Sequence, residues 1–400
     1  MHKTNAEDRY IEKRKRKAFL TYVFCHMFWV LPVRKKKVVF TAFEGDGGYC
    51  CNPRYIAEEL LKSNQNYEIV WLVNHLEKKF PNGIHKAKNN FFNRAYHLAT
   101  AGTWVDNSRK AFGTAKRKNQ LYIQTWHAGV ALKPIGQFRG ALFPKIAYLV
   151  SAYDSKLTDF VLSNSDWCTN LYPKMLIYQG EIIKTGSPRC DILINKKRAV
   201  YEDIRSQYAI PKDAKIVMFA PTFRGGSQKG NRQVLAAYPT LNFSTMVQTL
   251  EEKFGGSWYI FLRLHPQLSA QIEKVPLENS IEQMIDVSQA DDMNELLCAS
   301  DVLITDYSSS SFDAICAYIP VFLYLDDFEE YVQERGNLMW ERSALPFSVS
   351  TSNHELLENI LQFDENDYRK QIDRFQKNTG VLEDGHASAR VADIIGSRIL

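Results

Sequence analysis

The sequence lacks the short motifs that indicate a metal centre or a nucleotide-binding loop. It has no Walker A segment, no HExxH, no CxxC and no dinucleotide fingerprint, and Asp291-Asp292 follows no strand pattern that would make it a metal-binding DxD motif. Seven cysteines are present without metal-ligand spacing. Because disulfide frameworks belong to short secreted chains, we expect reduced thiols in a cytosolic compartment and no protein-bound metal.

The sequence also lacks a strongly basic body. Residues 1–37 hold eleven Lys and Arg against three acids, a net of +8, so the other residues carry −3 of the total of +5. A nucleic-acid-binding protein would place its basic face on the folded body, and we therefore expect no nucleic-acid partner.

No apolar run is long enough to cross a membrane. The run from Ala18 to Val33 has sixteen residues, whereas a spanning helix needs about 20. Its end at Leu31-Pro32-Val33 is unlike a signal-peptide cleavage site. Basic clusters flank it at 13–17 and 34–37 and would attract an anionic leaflet. We predict an N-terminal interfacial helix within a membrane-associating segment, 1–37; an ordinary helix packed on the domain is the alternative.

From residue 38 the chain alternates short β-branched or aromatic runs with helical stretches, a pattern typical of parallel α/β sheets. The polar stretch 195–213 separates two such series, and we predict two doubly wound domains, 38–195 and 196–400. The predicted strands are 38–43, 68–73, 103–106, 121–126, 160–164 and 181–185 in the first, and 215–220, 258–264, 302–306 and 321–325 in the second.

Polar clusters follow several of these strands, and open α/β sheets bind ligands at the carboxyl ends of their strands. His127 comes at the exit of strand 121–126, where a histidine can act as a general base; a structural histidine in a turn is the alternative. Thr222 and Arg224 follow strand 215–220 and offer groups that bind phosphate, although a surface turn with a solvated arginine would look the same.

Two more clusters follow later strands. Arg263 and His265 lie two residues apart, hence on one side of their strand, and suit a pyrophosphate leaving group; a strand-end ion pair is the alternative. The serine turn containing Ser308 and Ser309 opens a helix, where backbone N–H groups favour anions. Ordinary N-capping is the alternative there.

In this order, the four clusters resemble those of the CDP-glycerol glycerophosphotransferase family, the primases and polymerases of teichoic acid synthesis. Residues 124–133 are similar to the family's QTWHGTPLK, 220–224 to APTWR, 263–266 to RLHP and 305–309 to TDYSS. Lesser matches, such as 186–189, extend the ordered set from about residue 31 to 390. The family's usual Gly-Thr-Pro is Ala128-Gly129-Val130 here, which leaves the alditol open.

The resemblance implies a B-type glycosyltransferase-like fold, with an N-terminal Rossmann-type acceptor domain and a C-terminal CDP-donor domain facing a central cleft. It implies transfer of glycerol phosphate or ribitol phosphate from CDP-glycerol or CDP-ribitol to an undecaprenyl-linked or polymer acceptor, with release of CMP. The product would be teichoic acid or a related capsular polymer. The enzyme would be peripheral and monotopic on an anionic membrane, at its cytoplasmic face. No tightly bound cofactor is expected, Mg²⁺ with the donor diphosphate is compatible, and the oligomeric state is open.

The resemblance also implies roles for single residues. His127 would be the acceptor-side base, and His265 would face the donor. The donor diphosphate would be held by Thr222, Arg224, Arg263, Ser308 and Ser309. Further residues expected to line the cleft are Asp306, Gly129 and Arg189.

Two competing interpretations remain at this stage. A nucleotide-sugar-dependent glycosyltransferase could use the same fold, since fold alone does not define the donor. A catalytically inactive membrane scaffold is the other, and the presence of both histidines and both arginines argues against it.

Overall fold

The described residues form two α/β units, each with its own parallel sheet. The computed structural model describes residues 6–63, 65–222, 240–264 and 281–399. The first unit contains the described residues up to Gly129, then Ile135–Asp191 and the chain from Leu382 onward; the second contains Val130–Pro134 and Ile192–Val381. The predicted class, α/β with two Rossmann-type sheets, is confirmed.

The first sheet has seven strands in the order β3-β2-β1-β4-β5-β6-β7, and all neighbouring pairs are parallel. The direction of winding reverses between β1 and β4, which is where open sheets bind ligands. The strands are β1 (Arg34–Thr41), β2 (Glu68–Val73), β3 (Ile84–Lys88), β4 (Ala101–Asp106), β5 (Leu121–Gln124), β6 (Phe160–Ser163) and β7 (Glu181–Lys184).

The second sheet repeats this winding with six parallel strands in the order β10-β9-β8-β11-β12-β13. Its switch point lies between β8 and β11. The strands are β8 (Lys215–Ala220), β9 (Trp258–Leu262), β10 (Met284–Asp286), β11 (Val302–Thr305), β12 (Val321–Tyr324) and β13 (Ser348–Ser350).

Fourteen α-helices lie in the described part of the chain, and side chains satisfy the first N–H groups of several of them. Asn90, Ser165, Asn242, Ser352 and Asp364 each accept from a backbone N–H of the helix they precede. The helices are α1 (Ala6–Met27), α2 (Cys51–Lys62), α3 (Phe91–Thr100), α4 (Lys145–Leu157), α5 (Asp166–Tyr172), α6 (Asp191–Asn195), α7 (Lys197–Gln207), α8 (Phe243–Phe254), α9 (Met293–Ala299), α10 (Ser310–Ala314), α11 (Phe328–Arg335), α12 (Asn353–Leu361), α13 (Glu365–Thr379) and α14 (Ala387–Ile399).

Helix α14 belongs to the first unit, whereas the prediction assigned all of 196–400 to the second domain. Val391 and Ile395 are fully buried in the core of the first sheet, beside Ile56 and Leu60 of α2. The Asp191 carboxylate accepts from the first two N–H groups of α14, at 3.0 and 2.7 Å. Burial of this apolar stripe and the cap hold the helix on the first sheet.

The N-terminal helix α1 is integrated into the first unit rather than separate from it. Ile11, Ala18 and Cys25 are buried, and the Phe24 ring stacks on Phe91 of α3 at 4.4 Å. The first strand begins at Arg34 instead of the predicted Val38. The predicted segment 1–37 therefore includes part of the sheet, and its membrane contact stays a prediction.

A glycine permits an irregularity between the two central strands of the first sheet. The β1–β4 register shifts between Arg34 and Val38. Opposite this shift, a Cβ on Gly102 would lie 2.3 Å from the Lys35 carbonyl oxygen. Only glycine allows the backbones to approach this closely, as is common at bulges.

We predict that Gly102→Ala lowers the free energy of unfolding by about 1–3 kcal/mol, since a rigid carbonyl cannot move aside without shifting β1. Gly396→Ala in α14 is the matched control, because its Cβ would meet nothing closer than 3.5 Å and alanine favours the helix. Thermal unfolding of both variants checks this. An equal effect of the two substitutions would show that the close approach at Gly102 is unimportant.

Candidate functional site

The segment leading to His127 leaves β5 and turns sharply at the carboxyl edge of the first sheet. The Thr125 N–H and hydroxyl both donate to the Asp106 carbonyl at the end of β4, at 2.8 and 3.2 Å. The Gln124 side chain accepts from the Trp126 N–H at 2.9 Å. Trp126 has a φ of +52°, a left-handed conformation that costs a non-glycine residue about 1 kcal/mol. These bonds hold the strained residue immediately before His127.

The imidazole of His127 is oriented by the chain that leaves β4. Its Nδ1 lies 2.7 Å from the carbonyl oxygen of Asn107. A carbonyl can only accept, so Nδ1 carries the proton, and Nε2 of the neutral ring can accept one. The ring packs beside Trp126 and Phe43, with centroids 4.4 and 5.4 Å away. This tautomer is the one that a base acting through Nε2 requires.

The loop after β1 is anchored to the same residue. Phe43, Glu44 and Gly45 have φ angles of +48°, +57° and +96°. The Asn107 side-chain oxygen accepts from the Phe43 N–H at 2.7 Å, and the Ser108 hydroxyl accepts from the Glu44 N–H at 3.0 Å. Asn107 thus fixes the imidazole with its backbone and the strained neighbouring loop with its side chain.

At the second sheet, the exits of β8 and β11 are tied by Asp306. Both carboxylate oxygens lie within hydrogen-bond distance of the Thr222 N–H, at 2.8 and 2.9 Å. The Thr305 hydroxyl donates to the Ala220 carbonyl at 2.6 Å. Asp306 is buried and Thr222 is half-buried. The structure therefore brings these two predicted site residues together at the switch point.

The serine turn follows directly on Asp306. The Ser308 hydroxyl oxygen accepts from the Ser310 N–H at 3.3 Å and lies 2.9 Å from the Ser310 hydroxyl. The backbone carbonyl of Ser308 accepts from the Ser311 hydroxyl at 2.8 Å. Ser308 and Ser309 are half-buried. The Ser308 hydroxyl thus accepts from the first N–H of α10, whereas the N-cap residue Ser309 makes no side-chain capping bond, and contact of either serine with a ligand stays a prediction.

Arg263 lies at the exit of β9, on the side of β10. Its guanidinium donates to the carbonyls of Val287 and Ser288, at 2.9 and 2.6 Å. These bonds fix the chain after β10, and a diphosphate contact for Arg263 stays a prediction. Arg224 and His265 lie outside the described residues.

Gly129 and Arg189 have structural reasons for their identities. A Cβ on Gly129 would lie 2.4 Å from the Asn164 side-chain nitrogen, so no larger residue fits. Arg189 is only 4% exposed, and its Nη1 lies 3.4 Å from the side-chain oxygen of Asn52. Both residues stand close to the His127 segment in the first unit.

Comparison with known proteins identifies the family. The model of the CDP-glycerol:poly(glycerophosphate) glycerophosphotransferase family matches residues 23–397. The chain belongs to this family. The chain is 30% identical to a teichoic acid poly(glycerol phosphate) polymerase of Staphylococcus epidermidis, over 91% of this chain and 51% of that protein. It is 29% identical to a poly(ribitol-phosphate) polymerase of Bacillus spizizenii, over 96% of this chain and 60% of that protein.

A solved relative of this glycerophosphotransferase-family chain has the same fold. The wall teichoic acid polymerase TagF, in a structure soaked with CDPG, matches with a TM-score of 0.80 and 25% identity, covering 100% of this chain and 98% of that chain. The chain spans about half the length of the first curated relatives it matches. The two polymerases above act with different alditol phosphates, so the family alone does not decide the alditol.

Two residues that support the His127 segment, Asn107 and Asp154, were not predicted from the sequence. Asn107 follows the predicted strand 103–106, so its place at a strand exit was a signal. Asp154 of α4 gives no such signal, yet it is buried and accepts from the Tyr122 hydroxyl at 3.1 Å and the Lys110 N–H at 2.8 Å. The Tyr122 hydroxyl in turn accepts from Gln124, which braces the segment.

Burial raises the pKa of Asp154 to about 6, against the smaller effects of the Lys110 N–H and Arg109, which lower it. The folded protein therefore holds this proton more tightly than the unfolded chain does. The contribution of this proton to the free energy of unfolding is fully present below the ordinary aspartate pKa of 3.8. It is lost as the pH rises through the folded-state pKa of about 6.

We predict that wild type loses about 1 kcal/mol of stability relative to Asp154→Asn between pH 5 and pH 7.5, because the variant cannot ionise. Urea unfolding at both pH values measures the difference. Asp384→Asn is the control, since the hydrogen bond from Arg390 lowers the pKa of Asp384 and its contribution stays constant over this range. A pH-independent difference between wild type and Asp154→Asn would contradict the prediction.

Proposed function

We propose that this protein transfers glycerol phosphate or ribitol phosphate from a CDP-alditol to a hydroxyl of a membrane-linked acceptor, releasing CMP, in teichoic acid or related surface-polymer synthesis. Family membership supports the reaction class. The observation that carries the chemistry is the orientation of His127, whose Nδ1 donates to Asn107 and whose Nε2 can accept a proton at the carboxyl edge of the first sheet.

In this proposal the acceptor hydroxyl attacks the phosphorus that bears the alditol. The hydroxyl proton passes to Nε2 of His127, a new phosphodiester bond forms, and the bond to the CMP oxygen breaks. General-base catalysis of this kind contributes on the order of 10²–10⁴-fold. Asn107 supports the step, because a bond from Nδ1–H to a carbonyl stabilises the imidazolium that forms.

The donor diphosphate is assigned to the edge of the second sheet, at the exits of β8 and β11. The tie between Asp306 and the Thr222 N–H fixes the start of the 222–224 segment, and the serine turn follows on the same strand exit. Hydroxyl and guanidinium donors suit a diphosphate. Arg224 and His265 are proposed to act there as well, on the resemblance alone.

We predict that the protein releases CMP from CDP-glycerol or CDP-ribitol and that His127→Ala lowers turnover at least 100-fold while CDP-alditol affinity changes less than threefold. A donor screen with a lipid-linked acceptor, read by CMP release and product mass, measures both. UDP release from UDP-sugars would favour the glycosyltransferase alternative. Near-normal turnover of His127→Ala would leave His127 with a structural role only.

We predict that Asp306→Asn weakens CDP-alditol binding about tenfold, since it places an amide group against the Thr222 N–H and loosens the loop. Asp301→Asn is the matched control: its carboxylate accepts from the Ile216 N–H at 2.8 Å, but at the amino end of β8. Calorimetric titration with CDP-glycerol compares the two. Equal losses would indicate a general effect on the sheet and no donor site at this edge.

The membrane part of the proposal rests on the exposed side of α1. This side is charged in its first half, at Glu12, Lys13, Lys15 and Arg16, and apolar in its second half. No helix in the described part of the chain is long and apolar enough to span a bilayer. The apolar residues lie on one stripe of the helix and its end: Phe19, Leu20, Val23, Met27 and Val30 are all at least 45% exposed.

The neighbouring helix extends this apolar surface. Phe91 and Phe92 of α3 are exposed and contact Phe24 of α1 and Phe28, which directly follows α1. Exposed aromatic and aliphatic groups beside basic clusters suit the interface of an anionic membrane, at its cytoplasmic face in this proposal. Because α1 also packs on the sheet unit, substitutions on its exposed side test the contact better than its deletion.

We predict that a variant with four serine substitutions binds phosphatidylglycerol vesicles at least tenfold more weakly than wild type and has the same thermal stability. The substituted residues are Phe19, Leu20, Val23 and Met27. Serine at Leu76 and Leu361, which are exposed elsewhere, is the matched control. Co-sedimentation at low and high salt separates the electrostatic and apolar contributions. Unchanged sedimentation of the fourfold variant would show that this side of α1 does not contact the membrane.

A further inference from the structure

A buried amide lies behind the His127 segment and clamps its backbone. Asn52, the second residue of α2, is 2% exposed. Its Nδ2 donates to the Trp126 carbonyl at 2.9 Å and to the Thr125 carbonyl at 3.3 Å. The Trp126 carbonyl belongs to the peptide that joins Trp126 to His127, so this bond controls the orientation of that peptide.

The orientation of the Asn52 amide is fixed by its other partner. Its Oδ1 accepts from the Arg189 N–H at 3.1 Å and lies 3.4 Å from Arg189 Nη1. Two carbonyls on one side and two N–H donors on the other allow only one placement of the amide nitrogen and oxygen. Arg189 therefore directs the Asn52 donors toward the Trp126 peptide.

The buried guanidinium has a charged neighbour in the same unit. The Glu383 carboxyl accepts from the Asn164 side chain at 2.9 Å and from the Ser187 N–H at 3.0 Å. Burial raises the pKa of Glu383 to about 7, and the hydrogen bonds from Ser187 and Asn164 and, to a smaller extent, the charge of Arg189 oppose this rise. Arg189 is thus built into the first unit by backbone, amide and charge interactions.

The peptide that Asn52 binds is strained, and the hydrogen bonds to it oppose its relaxation. Trp126 is left-handed, and both of its backbone polar groups are held by side chains: the N–H by Gln124, and the carbonyl by Asn52 at 2.9 Å and by the Thr125 hydroxyl at 3.0 Å. A strained residue persists only where its surroundings over-determine it, and such residues cluster at functional sites. Without Asn52 the Trp126 carbonyl keeps the Thr125 hydroxyl, whose proton the Asp106 carbonyl also attracts. The peptide could therefore relax and move the imidazole away from the Asn107 carbonyl.

We infer that Asn52 and Arg189 are positioning residues for the reaction: they hold the Trp126–His127 peptide so that Nδ1 of His127 meets the Asn107 carbonyl and Nε2 faces the acceptor. The inference rests on the proposed role of His127 as the base. It gives Arg189 a function through Asn52, in addition to the cleft-lining position expected from the sequence.

The test uses Asn52→Asp, which keeps the shape and the acceptor for Arg189 but removes both Nδ2 donors. We expect kcat to fall at least tenfold with less than a twofold change in donor KM. In a His127→Ala background the same substitution should cost nothing further, because its effect passes through the missing ring. An equal loss in both backgrounds would overturn the inference in favour of a purely structural role.

A spectroscopic measurement makes the test independent of turnover. In wild type, long-range ¹H–¹⁵N correlation of the His127 ring, assigned by its loss in His127→Ala, should show a protonated Nδ1 and an unprotonated Nε2. Asn52→Asp should give a mixture of tautomers. An unchanged tautomer together with unchanged kcat in Asn52→Asp would overturn the inference, while an active His127→Ala would instead overturn the proposed base.

Arg189→Lys carries the test if Asn52→Asp does not fold. Lysine keeps the charge and the backbone N–H that Asn52 accepts from, but it loses the Nη1 contact, so we expect a loss of kcat of about three- to tenfold, also absent in the His127→Ala background. Arg205→Lys is the matched control: this buried arginine donates to the carbonyls of Pro211 and Ala214 in the second unit. A wild-type kcat for Arg189→Lys, or an equal loss for Arg205→Lys, would count against the inference.

Discussion

In both sheets a buried aspartate at the carboxyl end of the fourth strand ties the neighbouring chain segments, and the candidate sites depend on it. Asp106 accepts from the Ser108 N–H at 2.9 Å and from Lys110 at 2.7 Å, which shapes the Asn107 turn. Asp306 accepts from the Thr222 N–H. Parallel strands end with unpaired backbone groups at this edge. A carboxylate that accepts from nearby N–H groups fixes the position of the chain where it leaves the strand.

The two edges present different groups in spite of this shared aspartate. At the first sheet the fixed turn presents a backbone carbonyl, which orients an imidazole. At the second sheet the tie fixes the Thr222 N–H, and the hydroxyl-rich turn at Ser308 follows on the strand exit of Asp306. The repeated winding thus supplies two equivalent scaffolds that carry different residues: the first edge holds an oriented imidazole, and the second holds a fixed backbone N–H beside a serine turn.

Much of the fold could be predicted from the sequence, because interior strands of parallel sheets are continuous apolar runs. Strands 68–73 and 215–220 have the predicted bounds, and eight others were located within a few residues. The three missed strands, β3, β10 and β13, are short, partly exposed and at sheet edges, where burial demands no apolar run. The place of α14 could not be predicted either, since its apolar stripe fits any core.

The order of the motifs located the candidate site, but its internal bonds were not predictable. Asn52 and Arg189 are 137 positions apart, and Asn164 and Glu383 are 219 apart. Local spacing carries no information about such pairs. The same limit applies to Asp154, whose importance depends on burial beneath a strand that it does not neighbour in sequence.

The return of α14 to the first unit has a consequence for biosynthesis. The apolar surface of α2 that faces Val391 and Ile395 stays uncovered until the ribosome has translated past residue 395, by which time most of the second unit has emerged. Domains usually fold in the order of synthesis, at about 5–20 residues per second. Here the helical layer on the first sheet is completed last, so the nascent chain leaves this apolar surface of α2 exposed for roughly the whole translation of the second unit.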